Sequence, residues 1–307
     1  MATYTSLGDL DVAFLQERYG LVSLVIEPVK GGAANSSFKV TSDDAQYVLT
    51  VLDNHDHASA LALAEHTRAL YGAGYPTTRP VPDVDGDLVP LMGGRPVVLK
   101  DWVDGDVVET LSLEQLVTAG EHLAQLHNLP TDFVVVPVGT RRLAPERLAL
   151  VPGFADQEFA RWLQARLAQV GEAERDVIRP QALCHGDLFA DNIVVGADGL
   201  VTILDWETIS LEDPLLDLGM TALGLARTNG LLSTERLAAL VSGYAKLRPQ
   251  VRDDLDQIAT EIVHAALIIA YHRYYRHNVR FPDPTKATIH RELYAFVESV
   301  PARLDLC

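Results

Sequence analysis

The chain has 307 residues, of which 48% are hydrophobic, and it carries a formal net charge of -17. This length and composition predict a globular protein with a large core, built as one big domain or as two lobes. The acidic balance argues against a nucleic-acid or anionic-membrane surface, because both require clustered Lys and Arg to offset phosphate charge.

The sequence gives no sign of targeting or membrane insertion. The opening stretch MATYTSLGDLDVAF lacks a basic region followed by a long apolar region, and the longest apolar run, Ala265 to Tyr271, is too short to span a bilayer. Cys184 and Cys307 suggest neither a disulfide framework nor a thiolate metal site. We therefore expect a cytoplasmic protein without a membrane partner, and the oligomeric state stays open.

Short apolar runs separated by turn signals fill the first third of the chain, as in LVSLVIEPV, SSFKV, YVLTVL and RPVVLKDWV. They predict β-strands. One segment between Asp56 and Gly74 has apolar residues at helical spacing and predicts a single helix. Residues 1–103 are therefore expected to form a small β-rich lobe.

After residue 103 the pattern changes to long helical segments, so residues 104–307 are expected to form a larger, mainly α-helical lobe. The predicted helices span residues 112–129, 155–171, 213–225, 234–247, 253–278 and about 284–300. Within this helical lobe the sequence also predicts one β-hairpin, around the Asp198-Gly199 turn. The predicted fold class is α+β.

The segment LCHGDLFADNIVVGADGLVTILDWE, Leu183 to Glu207, places polar side chains inside an otherwise apolar run. Asp187 and Asn192 flank a short irregular segment and Asp205 ends the hairpin, so the three can converge. Mg²⁺ prefers such oxygen ligands and commonly bridges substrate phosphates. In phosphoryl transfer, Asp187 would accept the proton of the attacking hydroxyl while Asn192 and Asp205 hold Mg²⁺. The alternative is a set of turn residues, since Asp and Asn favour loop starts and caps.

HGDLFADN followed by ILDWE resembles the catalytic and metal loops of the aminoglycoside phosphotransferase-like kinases, which are relatives of the protein kinases. The resemblance implies a bilobal protein-kinase-like fold with ATP between the lobes, and transfer of its γ-phosphoryl group to the hydroxyl of a small-molecule acceptor. It implies Asp187 as catalytic base, Asn192 and Asp205 as Mg²⁺ ligands, and His185 as a brace of the loop. Asp217 would be a buried group that pins this loop.

Weaker similarity extends into the first lobe. GGAANSSFKV looks like the nucleotide-covering loop of the subgroup that contains homoserine kinases, in which backbone N–H groups contact phosphate oxygens. The residues implied for this contact are Gly31, Gly32, Asn35 and Ser36. Trp102 and Val103 fall where the family's hinge passes the adenine ring.

One departure from the family concerns the third strand, which usually carries a lysine on the α- and β-phosphates. Thr50 stands at that position, as often in the homoserine kinase-like subgroup, and Glu65 stands where the partner of that lysine would be. No other lysine of this lobe is an obvious replacement. Lys30 precedes the glycine turn, Lys39 is expected to point outward, and Lys100 lies near the hinge. The phosphate contacts therefore stay unassigned.

The sequence predicts the acceptor-binding residues less specifically than the catalytic and metal-binding ones. Glu207 could touch metal or substrate, or be a rim carboxylate bonded to backbone. The resemblance places the helix around Tyr271 beside the acceptor pocket, where Arg273 or Arg276 could hold a substrate carboxylate. A half-exposed helix with packed aromatics and solvated arginines is an equal alternative. The histidines of DNHDH, residues 53–57, are expected to be solvated.

Several functions remain open from the sequence. A homoserine-like amino alcohol ranks first as acceptor, and an aminoglycoside ranks second because the acidic balance favours a polycation. Choline or ethanolamine and a sugar follow, and the choice between ATP and GTP is open. A non-catalytic nucleotide-binding module is the rival from another class, but the complete Asp187, Asn192 and Asp205 set argues against it.

Overall fold

A computed structural model describes residues 5–29, 35–43 and 45–306. The chain divides into two compact units. Unit 1 comprises Met1–Val107 and Ile193–Glu207, and unit 2 comprises Val108–Asn192 and Thr208–Cys307. The boundary expected at residue 103 lies near Val107, whereas membership of the 193–207 segment in unit 1 was not predicted.

The described residues of unit 1 form two α-helices and two antiparallel sheets. The helices are α1 (Val12–Tyr19) and α2 (His57–Gly72). The first sheet contains β1 (Val25–Pro28), β2 (Ser36–Ser42), β3 (Ala45–Val51), β4 (Pro80–Val81), β5 (Leu91–Met92) and β6 (Arg95–Asp101). Its order is β1-β2-β3-β6-β4, and β5 also pairs with β6. The second sheet has the order β10-β9-β7, from β7 (Asp106–Val107), β9 (Ile193–Val195) and β10 (Val201–Ile203).

The two faces of the first sheet pack against different helices. Leu49 and Leu99 belong to a buried cluster with Leu15 of α1. Val98, one residue from Leu99, belongs to a second cluster with Ala60 of α2. This alternation is the period of two expected for a strand that is buried on both faces.

Contacts along its length hold the 193–207 segment in unit 1. The predicted hairpin is confirmed, since β9 and β10 are antiparallel, and β7 extends this sheet. The Ile203 N–H donates to the Pro76 carbonyl at 2.8 Å. Buried Trp206 donates its Nε1–H to Thr77 Oγ1 at 2.9 Å and meets the Tyr75 ring edge-on. The strand ends of this hairpin are therefore fixed to unit 1.

Unit 2 is mainly helical. Its α-helices are α3 (Leu113–His127), α4 (Pro145–Leu148), α5 (Gln157–Ala173), α6 (Pro214–Leu225), α7 (Thr234–Leu247), α8 (Leu255–Tyr274) and α9 (Glu292–Ser299). A π-helical segment, Tyr275–Arg280, continues α8. The strand pairs are β8 (Ala182–Cys184) with β11 (Ser210–Glu212), and β12 (Arg227–Thr228) with β13 (Leu231–Leu232). Within the described part of the chain, no helix is both long and apolar enough to cross a membrane.

The helix boundaries follow local signals. Asp213 caps α6 by accepting a hydrogen bond from the Leu215 N–H, with Pro214 at the first helical position, as the sequence predicts. The last predicted helix begins later than expected, at Glu292 rather than near residue 284. Asp283 accepts hydrogen bonds from Thr285 and so closes a turn there.

Glycines permit the close crossing of α3 and α7. A Cβ at Gly120 would collide with the Leu240 carbonyl oxygen, and a Cβ at Gly243 would collide with that of Val117. Both glycines are therefore required by the distance between the two backbones. This crossing supports His127, the last residue of α3, which reaches the loop described next.

Candidate active site

A single buried carboxylate, Asp217 of α6, holds the loop that follows β8. It accepts hydrogen bonds from the backbone N–H groups of His185 at 2.8 Å and Gly186 at 2.7 Å, and it bonds to His127 Nε2 at 3.0 Å. Burial alone would raise the pKa of Asp217, but these hydrogen bonds and the neighbouring imidazoles hold it below its usual value. The geometry agrees with the loop-pinning role implied for Asp217.

The backbone of the loop turns at Gly186 and is braced by His185. Gly186 has a φ of +81°, and a Cβ there would lie 3.0 Å from the Thr208 carbonyl oxygen. The fully buried His185 accepts the Asp187 N–H at Nδ1, while its carbonyl accepts the Thr208 hydroxyl at 2.6 Å. This turn brings the Asp187 side chain outward, where it is 38% exposed.

Two further groups contact Asp187 within unit 2. Arg141 Nη2 lies 3.5 Å from Asp187 Oδ1. Asn192 Nδ2 donates to the Asp187 carbonyl at 2.9 Å. Because the amide nitrogen of Asn192 is used in this way, its oxygen is the atom suited to a metal ion.

Asp205 belongs to unit 1 and ends the hairpin in a strained turn. Its φ is +61°, which is uncommon for a residue with a side chain. Its carboxylate accepts the Glu207 N–H at 3.2 Å, and Trp206 between them is buried. Asp205 itself is exposed. Its role as a Mg²⁺ ligand stays a prediction.

Glu207 connects the hairpin to other parts of unit 1. Asn35 Nδ2 donates to Glu207 Oε1 at 2.5 Å, and His55 Nε2 lies 3.5 Å from the same oxygen. The hydrogen bond to Glu207 raises the pKa of His55, and the same bond lowers the pKa of Glu207. The expectation of a solvated His55 was therefore wrong. A contact of Glu207 with metal or substrate stays a prediction.

The predicted phosphate-binding loop is described only from Asn35 onward, and Gly31 and Gly32 lie outside the described residues. Ser36 begins β2 and its hydroxyl donates to Asp53 Oδ2 at 2.6 Å while accepting the Thr5 N–H at 2.9 Å. These contacts use the Ser36 hydroxyl to secure the start of β2.

The other nucleotide-binding candidates lie on different elements of unit 1. Thr50 is buried on β3, and Glu65 is exposed on α2. The Trp102 N–H donates to the Gln46 carbonyl at 3.1 Å. An adenine contact in this segment would therefore use the Trp102 carbonyl or Val103, which stays a prediction.

Comparison with protein families decides the assignment of the chain. The model of the phosphotransferase enzyme family, APH, matches residues 25–253. The chain belongs to this family. The resemblance inferred from the loop motifs is confirmed, and the protein is a small-molecule phosphotransferase that acts on a hydroxyl group.

Homoserine kinases are among the relatives of the chain. The chain is 28% identical to that of Burkholderia multivorans over 268 residues, which cover 81% of this chain and 80% of the relative. It is 27% identical to the homoserine kinase of Methylocella silvestris over 287 residues, covering 89% and 87%. These matches extend over most of both proteins.

Two solved structures have a fold similar to that of this chain. A microcompartment-associated aminopropanol kinase aligns with a TM-score of 0.75 at 18% identity, covering 97% of this chain and 100% of that one. Spectinomycin phosphotransferase APH(9)-Ia, in complex with ADP and spectinomycin, aligns with a TM-score of 0.63 at 16% identity, covering 95% and 94%. These likenesses confirm the predicted protein-kinase-like α+β fold.

Cationic side chains cluster on the Asp187 side of unit 2. Arg141, which contacts Asp187, has a buried Nε with no hydrogen-bond partner among the described residues. His272 lies 3.3 Å from Arg147 Nη1. Burial lowers the pKa of His272 to about 4, and the charges of Arg141 and Arg147 contribute. These arginines were not among the predicted site residues, although TRRLAPER carries three arginines in eight residues.

The residues predicted for the acceptor lie on or just beyond α8. Tyr271 is fully buried, and its hydroxyl has no hydrogen-bond partner among the described residues. Arg273 pairs with Glu292 at 3.1 Å, and Arg276 is exposed in the π-helical segment. Substrate contacts of these three residues stay predictions.

A second charged cluster in unit 2 surrounds Glu261 of α8, which is buried. Arg142 pairs with Glu174 at 2.5 Å, and Arg179 pairs with Glu261, whose side chain is almost inaccessible to solvent. Burial raises the pKa of Glu261 to about 8, and the charges of Glu174 and Asp213 add to this shift, while the two arginines oppose it. Glu261 is therefore harder to ionise than an ordinary carboxyl group, although two arginines lie beside it.

The raised pKa of Glu261 predicts a loss of stability as pH rises. An acid with a pKa higher in the folded than in the unfolded state costs stability once the pH exceeds the unfolded value, and the full cost is reached above the folded value. Between pH 5 and pH 9 the free energy of unfolding should therefore fall less in Glu261→Gln than in the wild type. Urea unfolding at several pH values measures this slope, and equal slopes would refute the assignment.

Proposed function

We propose that the protein transfers the γ-phosphoryl group of ATP, with Mg²⁺, to the hydroxyl of a homoserine-like amino alcohol that carries a carboxylate. The acceptor class is inferred chiefly from Arg141. This residue lies beside Asp187, and its buried Nε lacks a partner among the described residues. A buried donor without a partner is costly, so a bound anion would stabilise this arrangement.

The metal-ligand candidates suit Mg²⁺ by chemistry. Asp205 offers an exposed carboxylate, and Asn192 offers an amide oxygen because its nitrogen donates to the Asp187 carbonyl. Carboxylate and amide oxygens are ligands that Mg²⁺ accepts together with waters and phosphates. When bound, the ion neutralises charge on the transferring phosphoryl group.

Asp187 would orient the acceptor hydroxyl and accept its proton. The loop that presents its carboxylate is fixed by Asp217 and by the turn at Gly186. Catalysis of phosphoryl transfer depends mainly on positioning and charge stabilisation, because its transition state is loose. A rigid, partly exposed carboxylate is suited to that task.

The cationic cluster supports a carboxylate on the acceptor. Arg141 and Arg147 carry positive charge, whereas His272, whose pKa is about 4, is neutral at pH 7. Guanidinium groups bind carboxylates with two parallel hydrogen bonds. The buried Tyr271 hydroxyl is a further donor that lacks a partner among the described residues. The similarity to homoserine kinases points to the same acceptor class.

The deciding experiment measures ADP release with MgATP across a panel of acceptors. Homoserine and serine carry a carboxylate, aminopropanol, ethanolamine and choline lack one, and spectinomycin represents the aminoglycoside alternative. Homoserine should give the highest kcat/KM. A clear preference for aminopropanol, ethanolamine, choline or spectinomycin would refute the carboxylate acceptor, and nucleotide binding without turnover on any acceptor would favour the non-catalytic module.

Removal of one guanidinium should affect carboxylate acceptors selectively. Arg147→Met is expected to raise the KM for homoserine by about 10-fold or more, since a charge-assisted hydrogen bond is lost, while the KM for ATP stays unchanged. Arg175→Met is the matched control, because Arg175 is exposed and pairs with Glu172 on the surface. Steady-state kinetics on homoserine and aminopropanol measures the contrast, and an equal change for both acceptors would contradict a carboxylate contact.

A further inference from the structure

Lys100 of β6 lies on the same face of the first sheet as Thr50 of β3. It is opposite Val48, which is two residues before Thr50. In the pairing of β3 with β6, Thr50 is opposite Val98 and Val48 is opposite Lys100. Residues two apart along a strand, and residues directly opposite in an antiparallel pair, project from the same face. Lys100 therefore projects from the face that carries Thr50.

Lys100 is partly buried and lies within electrostatic range of two carboxylates of unit 1. Burial lowers the pKa of Lys100, and the nearby carboxylates of Asp205 and Glu207 oppose that shift. Asp205 is the metal-ligand candidate of this unit. Glu207 bonds to Asn35, the first described residue after the glycine-rich turn. Lys100 is thus near the metal-ligand candidate of unit 1 and near Glu207, which in turn bonds to Asn35.

Within the described part of the chain, no side chain bonds directly to the ammonium group of Lys100. Among the described residues, Lys100 takes part in no side-chain hydrogen bond and no ion pair, although two carboxylates act on it electrostatically. A partly buried ammonium without a direct partner is unfavourable. A phosphate oxygen would supply that partner.

We propose that Lys100 binds the α- or β-phosphate of the nucleotide and so replaces the lysine that is missing at position 50. This inference rests on the proposed function, because it concerns the nucleotide of the same reaction. The competing role is purely structural, with Lys100 serving as the counter-ion of Asp205 and Glu207. A phosphate contact would affect the binding of ADP but not of adenosine, whereas a structural role would affect both ligands.

The test compares ligands with and without phosphates. In Lys100→Met, the Kd for ADP should rise by about 10- to 100-fold, as expected for the loss of a hydrogen bond to a charged group. The Kd for adenosine should stay unchanged, and Lys100→Arg should recover part of the ADP affinity. Lys246→Met is the matched control, because Lys246 is exposed and pairs with Glu121 in unit 2. Isothermal titration calorimetry measures all four proteins.

The outcomes separate this proposal from the proposed function. If Lys100→Met binds ADP as tightly as the wild type, the Lys100 contact is refuted and the kinase assignment stands. If adenosine and ADP are weakened equally, the structural role is correct and the contact is refuted. If the wild type binds no nucleotide, the proposed function fails and this inference fails with it. A selective loss for ADP, accompanied by a higher KM for ATP, supports the contact.

Discussion

Asp187→Asn is expected to lower kcat by about 100- to 10,000-fold, the range found when a positioned general base is removed. The amide of Asn has nearly the same shape as the carboxylate, but it cannot accept the proton of the acceptor hydroxyl. The loop should keep its conformation, because Asp217 holds the backbone N–H groups of His185 and Gly186. The Kd for MgATP is therefore expected to change little.

Single-turnover kinetics and calorimetry on the same preparation check this prediction. Asp191→Asn is the control, since Asp191 lies four residues away on the same loop and is exposed. It should keep most of the activity. Native turnover by Asp187→Asn would show that another group accepts the proton, whereas a parallel loss of folding would point to a structural role for Asp187.

The fold could be predicted wherever the signal is local. Alternating apolar residues and turn signals predicted the strands and the hairpin at Asp198-Gly199, and capping residues such as Asp213 predicted helix starts. Membership of the 193–207 segment in unit 1 could not be predicted in this way. It depends on the contacts of Trp206 with Tyr75 and Thr77, which lie about 130 residues earlier and follow no local pattern.

Residues of the candidate site were likewise predictable where the signal is local and not predictable where it depends on distant contacts. The motif from His185 to Asp205 is readable because its members are close in sequence, whereas the role of Asp217 was implied by the family resemblance. Lys100 was set aside because it lies near the predicted hinge, but the face of a strand residue depends on register, and a shift of one residue reverses it. Arg141 was missed because its contact with Asp187 depends on the turn at Gly186.

Asp217→Asn is expected to lower the free energy of unfolding by about 3 kcal/mol, as for other buried charged groups that lose a partner. Asp217 is 2% exposed and receives three hydrogen bonds. An amide in its place offers one acceptor oxygen and sets its NH₂ group against a donor of the loop. Activity should fall as well, because the loop that presents Asp187 loses its anchor.

The pH dependence distinguishes this carboxylate from an ordinary packing residue. The pKa of Asp217 is lower in the folded state than its usual value of 3.8, so its contribution is fully present above that value and is lost as the pH falls through the folded pKa. The difference in unfolding free energy between wild type and Asp217→Asn should therefore be constant from pH 5 to pH 7 and shrink below pH 3.8. Asp198→Asn, at an exposed turn, is the control. A difference that persists unchanged at low pH would assign the loss to packing and not to the charge that holds the loop.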